Sequence, residues 1–599
     1  MSLRNGVSMA ILSCLILLLG TVVNSAQAGE DPAPASRFDG PAELPRQYVQ
    51  SSLRFTPASG RVINIRESKD LQKAIDGAKC GDTLKLEAGK TFRGLFRLPA
   101  KPCDDSHWII IRTGASDESL PPEGTRISPC YAGVTSLPGR PDFHCASAQN
   151  VMSRIEFDGD GDSGPILFLS HANHYRLIGL EVTRAKPELH MRNLIQPKDP
   201  EDTADHLVFD RLWLHGTPQD ETKGGIHLSG TTFVAIVDSY FSDFHCIARK
   251  GSCTDAQAIN GGGGDAPGGP YKIVNNFLEA SGECILFGGA PGTTTPADIE
   301  IRGNHLFKPL IWKPGSADFV GGYTGDPYIV KNNFELKNAQ RVLFEGNLVE
   351  NCWGGFTQKG FSIVLTPANQ GGHCPECRVT DVTIRYNLIR HVGGALNIAN
   401  VAGSQNSPSA DGERYSIHDV LVDDIDGEKY NGTGLFALII SVAPSLKIVH
   451  LDHVTAFPQR AVLSVLNQGP KIEDFTISNS IFGAGERQMI GAGGGPANCA
   501  QPRDDPDSLL KNCFSNAIFT NNLIIGGGVW PRGNISLKNA RDAGLRDFKE
   551  GHGGDYHLCR EKGDGADCNK PSPALAKGSD GKNIGADVEG IEKAIAGVV

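Results

Sequence analysis

The chain has 599 residues, with 72 Gly and only 7% aromatic residues, which suits a turn-rich β protein better than a helical one. A formal net charge of -11 argues against a nucleic-acid partner. It does not exclude a polyanionic substrate, because a locally basic groove can sit on an acidic protein.

The first 28 residues read as a cleaved signal peptide. Arg4 supplies the positive end, Met9 to Val23 the apolar centre, and Ala26-Gln27-Ala28 the small-residue cleavage site. A lipoprotein reading at Cys14 is rejected because the apolar run continues past it. No later stretch is apolar enough to span a bilayer, so the expectation is a secreted or periplasmic monomer. Residues 29–60 are rich in Pro and Ala and are predicted to be a poorly ordered lead-in; residues 61–599 are predicted to form a single domain.

The pattern sharpens at Val62-Ile63-Asn64-Ile65, a predicted strand. Ser68 is placed to cap a short helix with Leu71, Ala74, Ile75 and Ala78 on one face. A second strand follows Cys80-Gly81-Asp82. From there one unit recurs, an alternating strand, a turn and a second short strand, at 177–182, 207–214, 234–241, 273–278, 299–307, 342–349, 382–389 and beyond. Asn276, Asn304, Asn347, Asn387 and Asn522 sit near the centres of these units, where an Asn suits a tight corner. Stacked corners would make an Asn ladder. A further strand closes each unit, at 225–229, 256–260, 283–288, 310–313, 333–337, 362–366 and 395–399 among others. Repeated strand–turn units without intervening helices predict a solenoid. Long insertions such as 102–150, 315–328 and 403–414 fall between coils.

The segment RESKDLQKAIDGAKCGDTLKLEAGKTFRG resembles the opening of the pectin-lyase-like proteins, and Tyr556-His557-Leu558, Ser572-Pro573-Ala574 and Asn583-Ile584-Gly585-Ala586 resemble their closing segment. The resemblance implies an all-β fold, a right-handed parallel β-helix with an N-terminal capping helix and long loop insertions. It also implies that any active site lies on the closing strands.

One of the 15 cysteines lies in the signal, leaving an even number. Export makes disulfides the default, and neighbours in sequence suggest Cys80–Cys103, Cys130–Cys145, Cys246–Cys253, Cys499–Cys513 and Cys559–Cys568. Cys374 and Cys377 are also neighbours, with zinc the weaker alternative there. Cys284 and Cys352 would remain as a long-range pair.

Alternation fixes the outward positions of the closing strands. Phe334 and Leu336 inward put Glu335 and Lys337 outward; Ile226 and Leu228 inward put His227 outward; Leu396 and Ile398 inward put Asn397 outward. Glu283 lies at a coil edge, with Gln257 and Lys313 as neighbours. The stretch FELKNAQRVLFEGNLVEN resembles a segment of alginate lyases and chondroitinase B, where a groove-strand Lys removes the proton at C5 of a uronate and calcium neutralises the carboxylate. Carried over, this implies Lys337 as base and Glu335 or Glu283 as calcium ligand. The Arg that family carries on the next coil is absent from Phe361-Ser362-Ile363-Val364-Leu365-Thr366. The expectation is therefore a lyase acting on a uronate-containing polysaccharide. The alternatives are a non-catalytic carbohydrate-binding or cell-surface protein and a glycoside hydrolase. Asp158, Asp160 and Asp162 mimic a calcium loop, but Ser163 and Leu169 break its pattern, so a turn is expected there.

Overall fold

A computed structural model describes residues 36–598 except 144–146, 158, 160–162, 186–189, 248–252, 401–411, 443–445 and 501–504. The signal-peptide reading, the aspartate turn and Cys145 lie outside the described residues. Within them the chain winds as a right-handed parallel β-helix. Neighbouring strands of its two large sheets pair in parallel, in register from coil to coil. Ile285, Phe334, Ile363, Leu396 and Ala437 stack in one inward file. Phe287, Leu336, Leu365, Ile398 and Ile439 stack in the next. All are buried, so each coil covers the apolar edge of the one before.

The smaller sheet has twelve strands and carries the closing strands of the coils; it is called the groove sheet below. At one corner the backbone turns through a left-handed residue, such as Asn275, Gly303, Gly346, Tyr386 or Asn521. The residue that follows each of these forms the ladder. Asn276 N–H donates to Asn304 Oδ1, Asn304 N–H to Asn347 Oδ1 and Asn347 N–H to Asn387 Oδ1, at 2.8–2.9 Å. The expected ladder is present, with one refinement: the ladder Asn supplies hydrogen bonds, and the residue before it takes the strained turn.

The helix Ser68–Gly77 buries Leu71 and Ile75 at the open end of the solenoid. Ser68 does not cap it; Glu67 holds that position, and Ser68 Oγ accepts from Arg93 N–H at 3.0 Å. The C-terminal segment packs its own core, including Tyr556, Ile584, Val588 and Ile591, on the outside of the coils.

From residue 36 onward the lead-in makes defined contacts with the coils. Phe38–Asp39 pairs with Ala42–Glu43 as a hairpin. Glu43 N–H donates to Asp381 Oδ1 and Arg46 N–H to Asp298 Oδ1. Asp381 and Asp298 occupy left-handed corners, so a row of corner carboxylates captures a segment whose composition looks disordered. The predicted strand at 310–313 also fails: Leu310–Trp312 is a 3-10 turn, and Glu283–Phe287 pairs directly with Phe334–Leu336. Pro309 and Pro314 cannot donate to a ladder, and Trp312 is drawn instead against Tyr328 at 5.3 Å.

Disulfides join Cys80–Cys103, Cys246–Cys253, Cys374–Cys377, Cys499–Cys513 and Cys559–Cys568. These bridges fit an oxidising compartment. Cys284 and Cys352 do not pair; both are buried thiols, facing the carbonyls of Phe307 and of Lys331 and Phe361. Among the described residues no helix is long and apolar enough to cross a membrane.

Candidate active site

The groove sheet bends where each strand begins. Cys284 and Ile285 both enter the core, as do Ala258 and Ile259, and Ala395 and Leu396. The carbonyl of Asn333 accepts from both Cys284 N–H and Ile285 N–H, at 2.9 and 3.2 Å. Two inward residues in succession break the period-two count. Residues before the bend turn to the outer side even though strict alternation would send them inward, which brings Gln257, Glu283 and Asn332 into one row.

A charged network forms there. Gln257 Nε2 donates to Glu283 Oε2 at 3.0 Å. Lys331 Nζ pairs with Asp255 and lies 3.7 Å from Glu283 Oε1. Asn332 Nδ2 donates to Glu335 Oε2 at 3.0 Å, and Lys337 Nζ stands 3.3 Å from Glu335 Oε1. Glu283 is fully buried and, among the described residues, its Oε1 accepts no hydrogen bond. Burial pushes its carboxyl up to about 7; Lys331 opposes this, while Asp255 and Glu335 add to it. Burial pulls Lys337 down, but Glu335 and Glu283 outweigh it and hold the ammonium above its ordinary range.

Beside the network lies a cavity of about 240 Å³, with Arg192, Lys223 and His227 on its wall and Asp255 and Gln257 shared with the network. Register places Glu335, Leu286, Asn260 and His227 in one outward row. At ~4.8 Å per strand, His227 stands ~14 Å along the groove from Glu335.

His227 is set by a chain of amides. Asn193 Nδ2 donates to Gln196 Oε1 at 2.8 Å, and Asn260 Nδ2 donates to Asn193 Oδ1 at 3.1 Å. Asn260 therefore turns Oδ1 toward His227 Nδ1, which must donate. That leaves the lone pair on Nε2, which has no hydrogen-bond partner among the described residues. Burial lowers the His227 pKa; the hydrogen bond to Asn260 opposes this, and Arg192 and Lys223 add to it. Lys223 is itself lowered, first by burial.

The structure thus gathers Glu335, Lys337, Glu283 and Gln257, and sets His227 further along the same groove. Asn397 lies on the other side of Glu335, with Val364 between them. Lys313 is off the sheet. Asp255, Lys331, Asn332, Arg192, Lys223 and Asn260 were missed. Asn332 was missed because the bend reverses its facing, and Lys331 and Asp255 because they precede the strands. Asn260 was legible, since Ile259 inward puts it outward beside His227.

The resemblance to alginate lyases implies calcium at Glu335 and Glu283. The groups around these carboxylates are mostly nitrogen donors and cations. Gln257 and Asn332 donate to Glu283 Oε2 and Glu335 Oε2, Lys337 pairs with Glu335, and the Lys331 ammonium lies 3.7 Å from the free Glu283 Oε1, whereas calcium requires six or more oxygen ligands.

No protein-family profile and no curated protein matches the chain. Solved structures do. An alginate lyase from a Paenibacillus strain is 15% identical over 72% of this chain and 96% of that one, at a TM-score of 0.27. A mannuronic acid specific polysaccharide family 6 lyase from human gut microbiota is 10% identical over 80% and 91%, at 0.38. The catalytic domain of an α-1,3-glucanase in complex with nigerose is 9% identical over 82% and 68%, at 0.39. Likeness this distant assigns no residue and no reaction to this chain.

Proposed function

We propose that this protein is an exported enzyme acting on acidic polysaccharide, and that it is a lyase cleaving a uronate-containing chain by β-elimination. The observation that carries this reading is His227: a neutral imidazole, locked in one tautomer, lining a cavity beside Arg192 and Lys223. The elimination needs a base for the proton on the carbon next to a carboxylate, and positive charge on that carboxylate. His227 Nε2 takes the proton. Arg192 and Lys223 neutralise the carboxylate as negative charge spreads onto it. The C–H electrons form the new double bond as the glycosidic C–O bond breaks. Lys223, whose pKa is lowered, protonates the departing oxygen. Lys337, the base implied by resemblance, is second choice because Glu335 and Glu283 keep it charged.

The test is incubation of the full chain with alginate, pectate and chondroitin, reading ultraviolet absorbance of an unsaturated product. His227→Ala is expected to lose about a hundredfold or more in turnover, with Lys337→Ala losing less. The reverse ranking would return the base to Lys337. A glycoside hydrolase is the second reading, favoured by Glu283: a carboxyl pushed up to about 7 near an ion-paired Glu335 gives two carboxylates in unlike environments. A hydrolase yields reducing ends without absorbance. A carbohydrate-binding protein yields neither.

A further inference from the structure

On an outer corner of the larger sheet, near the capped end, three side chains converge that the proposed reaction does not use. Asp105 follows Cys103, whose disulfide to Cys80 ties down the loop. His174 and His206 occupy left-handed corners on successive coils. Their rings stack, with centroids 4.5 Å apart and planes 4° from parallel. His174 Nε2 lies 3.2 Å from Asp105 Oδ1, and His206 Nε2 lies 3.8 Å from it.

The hydrogen bonds on the far side of each ring decide what this cluster can bind. Asn173 Nδ2 donates to the carbonyls of Lys101 and His171, at 3.0 and 2.9 Å. Its Oδ1 is therefore the atom facing His174 Nδ1, at 2.9 Å. Asp205 Oδ1 faces His206 Nδ1 at 2.6 Å. Both Nδ1 atoms must donate. Each Nε2 is thereby aimed at the same carboxylate oxygen of Asp105. Two ring nitrogens and one carboxylate oxygen converge where a shared cation could sit. Imidazoles held through Nδ1 by an acceptor, with Nε2 free, form the arrangement that supports metal ligation.

We propose that Asp105, His174 and His206 bind one divalent first-row transition-metal ion of the zinc class. Two imidazoles and one carboxylate select such an ion over calcium or magnesium, which prefer all-oxygen sites. The ligand atoms lie within 4.8 Å of one another. Bonds of about 2.0–2.2 Å require them to close by about an ångström. Asp105, with its side chain 83% exposed, is free to swing toward the two Nε2 atoms. The remaining coordination is left to water. The ion clips the loop onto two coils beside the N-terminal cap.

Calorimetric titration of the metal-stripped full chain with zinc tests this, alongside melting with and without zinc. One saturable equivalent is expected, with a rise in melting temperature. Two variants remove ligands while sparing the fold. His206→Phe keeps a flat ring in a stack that Phe233 already continues, at 4.7 Å from His206. Asp105→Asn changes only an exposed side chain. Both are expected to weaken binding about tenfold or more and to lose the melting shift, whereas His171→Ala, a neighbouring histidine outside the cluster, keeps both. Absence of stoichiometric binding in the natural protein overturns the proposal. So does unchanged affinity in Asp105→Asn and His206→Phe.

Discussion

Asn347 shows what single residues contribute to this fold. Its Oδ1 accepts from the backbone and side chain of Asn304, and its Nδ2 donates to Ile301 and Asn387, all out of contact with water. Asn347→Ala leaves buried donors on Asn304 unmet and is expected to cost about 2–4 kcal/mol, read by denaturant titration. Asn347→Ser should cost less, because Ser239 and Ser480 serve as rungs of the same ladder. Glu283 is the opposite case, a residue that costs stability. Its pKa rises from 4.5 to about 7 on folding, so the native state binds more protons across that window. Stability therefore falls as pH rises through it. Glu283→Gln should flatten that slope in melts taken across the window. Because Lys337 pairs with Glu335 and Gln257 donates to Glu283, chelation is expected to leave turnover unchanged. Loss of activity in a chelator, restored by calcium alone, would reinstate calcium at these carboxylates.

Among the elements, the hairpin of Phe38–Asp39 and Ala42–Glu43 has the clearest switchable contact. Asp39 takes His418 Nε2 at 3.0 Å and Arg385 at 2.7 Å. Burial opposes charge on His418, but Asp39 and Asp419 more than offset it and push the imidazole up to about 9 from 6.5. A raised pKa contributes stability that is fully present below 6.5 and lost as pH rises through about 9. Hydrogen exchange in residues 38–46 should accelerate above that pH while the central coils stay protected. His418→Gln should remove most of this pH dependence. Unchanged exchange in the natural protein would show that the corner aspartates alone hold the hairpin. The bend at the start of each groove strand is the other decisive element, since it turns the row before the strand outward and creates the charged network.

Across the whole molecule, the disulfides are local. Among the described residues they span 23, 7, 3, 14 and 9 residues, and none of these links distant coils. The coils are held by stacked core files and ladders, whereas the bridges tether loops and ends. Loops of this size contribute about 2–3 kcal/mol each. Reduction should therefore lower the melting temperature, with exchange protection lost first at the cap and the insertions and retained longest around Phe334, Ile363 and Leu396. Simultaneous loss throughout would mean that the bridges support the solenoid itself. The groove follows from the same construction: parallel register aligns His227, Asn260, Leu286 and Glu335 from separate coils into one row.

Local order was legible in the chain. Alternation in FELK gave the facing of Glu335, and recurrence of the strand–turn unit gave the parallel solenoid, because each coil is a short-range pattern repeated. The ladder asparagines and most neighbouring cysteine pairs were legible for the same reason. Only the tertiary structure decided what depends on one coil lying against another. The bend that brings Gln257, Glu283 and Asn332 together is set by shared backbone bonds across strands, and so breaks the count that worked within one strand. The tautomer of His227 is fixed by Asn260 and Asn193, each on a different strand. The ordering of residues 38–46 depends on carboxylates more than 250 positions away. Contacts at such separations leave no periodic trace, so local pattern could place the strands but not the partners of their outward side chains.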